Sequence, residues 1–85
     1  MIEKFYYFKK IDYLAVYRFN LESFRCVEID ITPRYYEVWC NMKVSKSNKL
    51  NNNFIITNKK EWYRIIRKIN ISLHSKELPV YFHNN

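Results

Sequence analysis

The chain has no glycine, one alanine (Ala15), two prolines (Pro33, Pro79) and two cysteines (Cys26, Cys40) in 85 residues. Without glycine it cannot build a Gly-rich phosphate loop, which excludes nucleotide binding of that kind. Any positive-φ position must go to another residue type, and Asn or Asp is expected there because both tolerate the left-handed region. No run approaches the roughly 18 apolar residues of a membrane helix, so no membrane partner is expected. The opening Met-Ile-Glu-Lys-Phe-Tyr-Tyr-Phe-Lys-Lys sets charges within an aromatic stretch, unlike a secretory leader. A cytoplasmic protein is therefore expected, with both thiols free in a reducing compartment. On that expectation the sequon Asn70-Ile71-Ser72 is a chance match.

What the chain has in plenty is equally skewed. Ile, Lys, Asn, Tyr and Phe supply 44 of the 85 residues. These types have AT-rich codons, which points to a low-GC bacterium, its phages or its mobile elements. The length fits one domain, 1–85, with a thin core. Sixteen aromatic residues offset that thinness, because each buries a large area.

The pattern predicts an α+β fold: a four-stranded antiparallel meander packed against one C-terminal amphipathic helix, with a short C-terminal edge strand. Residues 1–44 carry the strands, at Lys4–Lys10, Tyr13–Asn20, Ser23–Thr32 and Tyr35–Val44. Each is rich in β-branched and aromatic residues, and the links between them are short enough to demand antiparallel neighbours. Residues 45–53 form a polar basic loop, and Phe54-Ile55-Ile56 leads into the helix. Asn58 is the expected cap (Thr57 the alternative), with Glu61 completing a capping box for a helix over 58–72. The tail, 74–85, carries the edge strand at Val80–Phe82.

Helical spacing puts Trp62, Ile65, Ile66 and Ile69 on one side and Lys60, Arg64, Arg67 and Lys68 on the other. The sheet face meeting the apolar side is expected to carry Val27, Ile29 and Ile31, with Val38, Cys40 and Met42 beside them. That register sends Cys26 to the opposite face from Cys40, which argues against a disulfide. It also leaves aromatic residues, including Tyr6, Tyr17, Tyr35 and Trp39, on a face with no helix. Such a face is a candidate interaction surface, or the contact of a homodimer.

Charge is divided unevenly along the chain. Residues 1–42 hold six cations and six acids, whereas residues 43–85 hold nine cations and only Glu61 and Glu77. The whole net charge of +7 therefore lies in the second half. Repeated like charges at Lys60, Arg64 and Lys68 cost a few tenths of a kcal/mol per pair, an arrangement a purely structural helix avoids. Lys43, Lys46, Lys49, Lys59, Lys60, Arg64, Arg67 and Lys68 are the candidate residues for a polyanion or an acidic protein surface.

Catalytic and metal readings fare worse. Cys26, Cys40, His74 and His83 match no zinc-module spacing, so no metal or cofactor is expected. Asp30 and Glu37 have the spacing of nuclease carboxylates across a hairpin, but Trp39 stands where the required lysine would be. No nucleophile–His arrangement is in evidence, and the chain is expected not to be an enzyme. Single-strand binding by stacking lacks the glycines of the RRM signature.

In size, AT-rich composition and lack of a catalytic motif the chain resembles small phage and mobile-element proteins that inhibit host defence, such as anti-CRISPR proteins. The likeness is one of class; it covers no motif and assigns no residue a role. It implies a non-enzymatic inhibitor docking on a host defence nucleoprotein or nuclease through the basic helix and loop. The alternative is a basic protein acting directly on DNA or RNA.

Overall fold

A computed structural model of the chain describes residues 4–43 and 54–84. The fold is α+β, with strands β1 (Phe5–Lys10), β2 (Ala15–Asn20), β3 (Arg25–Ile31), β4 (Tyr36–Lys43) and β5 (Phe54–Ile56), helix α1 (Lys59–Ser75) and strand β6 (Val80–Asn84). The strands form one mixed sheet in the order β5-β1-β2-β3-β4-β6. The expected loop over 45–53 lies outside the described residues.

The meander β1–β4 is antiparallel throughout, as its short links require. Two further strands correct the four-strand expectation. Phe54–Ile56 does not lead straight into the helix; it pairs antiparallel with β1. The C-terminal strand pairs parallel with β4, so the sheet is mixed. A parallel strand needs a crossover, and α1 is that crossover. At about 1.5 Å per residue its 17 residues span about 25 Å, and five strand spacings at about 4.8 Å give about 24 Å. The helix is thus long enough to link one edge of the sheet to the other.

Helix α1 starts as the sequence indicates. Asn58 has extended backbone, and its side chain accepts from the Glu61 amide at 2.9 Å. The expected capping box is only half made, because the Glu61 carboxylate pairs forward with Arg64 (2.8 Å) and not back with Asn58 N. The helix runs past 72 to Ser75 and ends at Lys76 in the left-handed region. It buries Trp62, Ile65, Ile69 and Ser72. Trp62, Ile65 and Ile69 meet Tyr7, Val16, Ile29, Tyr36 and Val38 in one core, with Val27, Ile31, Cys40 and Ile66 packed against it.

Met42 departs from the expected face. Between Cys26 and Glu28 on β3, the facing residues of β4 advance from Met42 to Trp39, so β4 holds one extra residue. Asn41, at φ 57°, absorbs it as a bulge. The extra residue reverses the alternation, and Met42 joins Tyr6, Phe19 and Cys26 on the face without the helix. Cys26 and Cys40 lie on opposite faces as free thiols.

Positive φ is not confined to Asn and Asp. Among the described residues Tyr13 (62°), Phe24 (52°) and Lys76 (58°) join Asn41 there. Local hydrogen bonds over-determine these turns: Tyr13 N donates to Lys10 O, Phe24 N to Asn20 O and Lys76 N to Ser72 O. Each is a strained site, held because the turn is fixed at both ends.

Candidate functional site

The two sides of the molecule differ in charge. On α1, Lys60, Arg64, Arg67 and Lys68 are all exposed, opposite the buried Trp62, Ile65 and Ile69. Tyr63 is exposed among them, with the Lys59 ammonium 5.9 Å from its ring centroid. Arg64 pairs with Glu61, and that contact, with Lys9 and Lys68 nearby, holds the Glu61 carboxyl below its ordinary range. Lys43 stands apart, as the last residue of β4, with Arg25 as its cross-strand partner. Lys46 and Lys49 lie outside the described residues.

The sheet face away from α1 carries the opposite sign. Alternation on β3 sends Val27, Ile29 and Ile31 to the core and Glu28 and Asp30 to the open face. Asp30 sits directly across from Glu37, and Glu28 lies between Tyr17 and Trp39. These groups form a connected network. Glu28 is coupled to both neighbours: Tyr17 favours its ionised form and Asp30 its protonated form. Trp39 Nε1 donates to Asp30 Oδ2 (3.2 Å). The Trp39 ring stacks on His83 at 3.9 Å between centroids, and His83 Nε2 donates to Glu37 Oε2 (2.8 Å).

Burial and the neighbouring Asp30 carboxylate push Glu28 up to about 7, against the opposing pull of Tyr17 and Lys10. Burial first, and then Glu28 and Asp30, raise the Tyr17 phenol well above its ordinary value. The Cys26 thiol is raised for the same two reasons, burial and Glu28. A raised thiol pKa makes for a poor nucleophile.

Of the aromatic residues expected on this face, Tyr6 is 55 % exposed. Tyr17 and Trp39 are half-buried, with their polar atoms engaged in the network. Tyr35 is half-buried and packs edge-on against Tyr81 (5.6 Å). The hairpin does bring Asp30 and Glu37 together, and an indole fills the third position. Among the described residues no group of three or more His, Cys, Asp and Glu is placed to hold a metal ion. Nor is any helix long and apolar enough to cross a membrane.

No protein-family model, curated protein or solved structure matches the chain. The site therefore has to be read from its own geometry. The sequence reading missed Glu28 and His83 as members of one network. The Val27-Glu28-Ile29-Asp30-Ile31 alternation already placed both β3 acids on one face, but only the parallel docking of β6 brings His83 to Trp39 and Glu37.

Proposed function

We propose that this chain is a non-enzymatic binding protein that docks through the basic face of α1. Its role is that of a phage or mobile-element inhibitor acting on a host defence nucleoprotein in the bacterial cytoplasm. The observation that carries the reading is the exposed row Lys60, Arg64, Arg67 and Lys68 on the side of α1 opposite its buried residues. Asp30, Glu37 and a partly ionised Glu28, against Lys10, leave the far side of the sheet acidic, so the molecule is electrically polar. A polar molecule approaches a phosphate-rich surface helix first. The same segregation opposes two other readings. Nucleic acid on the open sheet face would meet carboxylates, and a symmetric homodimer through that face would set like charges together.

Direct binding to DNA or RNA is the second reading, favoured by exposed Tyr63 among the cations, where a base can stack. Salt separates the two. Phosphate contacts by the protein itself make affinity for an oligonucleotide fall steeply between 50 and 200 mM salt, by roughly tenfold or more for a few contacts. An inhibitor that docks on a protein surface keeps its target after nuclease treatment and shows little affinity for the free oligonucleotide even at low salt.

The decisive variant is Arg64→Glu/Arg67→Glu. It reverses two exposed charges, and exposed changes of this kind are worth under about 0.5 kcal/mol in stability. The parent is expected to capture a nuclease-treated nucleoprotein from low-GC bacterial lysate, and the variant to lose it while melting within a few degrees of the parent. Equal capture by both proteins rules out the basic face as the site.

A further inference from the structure

Helix α1 leaves one end of its own sheet face bare. Thr57 N donates to Tyr7 O, so the helix begins level with Tyr7. It then runs towards Val80, which is level with Tyr36 at the opposite end of the strands. The uncovered end is a recess of about 240 Å3 whose lining includes Phe5, Arg18, Asn20, Arg25 and Val27 of the helix-side face. Sites that enclose a whole small-molecule ligand run to roughly 300–1,000 Å3, so this one suits a single group of a larger partner.

Two arginines from neighbouring strands line the recess. Arg18 and Arg25 are diagonal neighbours on β2 and β3, since Arg18 pairs with Val27 and Asn20 with Arg25. Arg18 is half-buried, and its guanidinium lies over Phe5 (4.7 Å to the ring centroid) and Trp62 (5.6 Å). Those π faces orient it without using its N–H groups. Among the described residues neither a carboxylate nor a carbonyl accepts from Arg18. Arg25 spends one donor on Asn41 O (3.2 Å) and keeps the rest. Among the described residues the acid at this end, Glu22, is tied to Lys4 (3.0 Å). Asn20 uses its side-chain oxygen on the Glu22 and Ser23 amides, which leaves its NH2 as a further donor.

A half-buried cation with no counter-charge among the described residues, pre-oriented beside a second one, is an arrangement that invites an anion. We propose that this recess is a phosphate-binding site in which Arg18 and Arg25 grip the non-bridging oxygens and Asn20 adds a neutral donor. It involves none of the α1 cations, so it stands or falls separately from the docking reading above.

The test is a titration with inorganic phosphate at constant ionic strength, followed by 1H–15N NMR of the arginine Nε–H and backbone amide signals. Saturable shifts are expected at Arg18, Arg25 and Asn20. Arg25→Gln should weaken binding at least about tenfold, the worth of one lost charged hydrogen bond. Arg18→Lys, which keeps the charge but loses the fork, guards against a folding artefact and should weaken it similarly. Arg64→Gln/Arg67→Gln should leave it unchanged. A second arm adds an oligothymidylate: shifts at the same arginines, competitive with phosphate, assign the site to a nucleic-acid backbone, and shifts with inorganic phosphate alone assign it to the free ion. Shifts that never saturate, or that survive Arg25→Gln and Arg18→Lys, overturn the proposal.

Discussion

Replacing Glu28 by Gln tests the open-face network most directly. Burial and Asp30 raise the folded carboxyl from an ordinary value of 4.5 to about 7. Between those two values the folded chain holds a proton that the unfolded chain has released. Stability must therefore fall as pH rises through that window, and level off above it. The gap is about 2.5 pH units, or about 3.5 kcal/mol at most. Glu28 is only half-buried, so solvent screening reduces this to on the order of 1 kcal/mol. The Gln variant has the same shape and no charge at any pH. It should match the parent at pH 4 and exceed it by on the order of 1 kcal/mol at pH 8.

Neighbouring substitutions should move the same titration in opposite directions. Tyr17 favours the ionised form of Glu28, so Tyr17→Phe should raise the carboxyl further. Asp30 accepts from the protonated form and repels the charged one, so Asp30→Asn should lower it. Urea unfolding from pH 4 to 8, paired with 13C NMR of the Glu28 carboxyl, measures both. A Glu28 midpoint near the ordinary value, or a Gln variant that tracks the parent at every pH, refutes the network as described.

Two further outcomes follow from the core and the helix end. Trp62 is 2 % exposed, so Trp62→Ala should cost about 3–5 kcal/mol in chemical denaturation; a domain of this length has only about 4–13 kcal/mol in all, and extensive unfolding at 37 °C is expected. Lys76 holds φ 58° at the helix C-terminus, where a non-glycine residue is disfavoured by about 1–2 kcal/mol. Lys76→Gly should recover part of that, a net gain of about 0.5–1 kcal/mol after the extra chain entropy of glycine. The melting temperature should then rise by about 2–8 °C, and a fall would show that the lysine side chain matters more than its backbone.

The meander and helix were legible in the sequence because their signals are long. Strand alternation marked the faces of β3, and of β4 as far as Cys40, and the 62/65/69 spacing marked the buried side of α1. The failures share a cause, which is that they turn on one to three residues or on tertiary context. Phe54-Ile55-Ile56 is too short for its period to be read, so a strand and a helix lead-in look alike. Asn41 gives no sign in sequence that it bulges, and that single residue moved Met42 across the sheet. The positive φ of Tyr13, Phe24 and Lys76 comes from turn closure, not side-chain preference. For the candidate sites, the basic row on α1 was readable from helical spacing. The recess was not, because Arg18 and Arg25 count as ordinary strand cations until the helix is seen to leave them uncovered.

The matched spans of helix and sheet limit how this chain can change in length. One helical turn rises about 5.4 Å, close to one strand spacing of about 4.8 Å. Adding a turn to α1 would carry Val80–Asn84 beyond β4 by about a strand, leaving room that only a seventh strand could fill. Adding one or two residues would instead rotate everything after the insertion by about 100–200°, and Ile69 would leave the core. Insertions and deletions should therefore be tolerated in the hairpin turns at 11–14, 21–24 and 32–35 and rejected within α1. Among diverged copies of this gene the helix should keep its length long after its surface residues have changed.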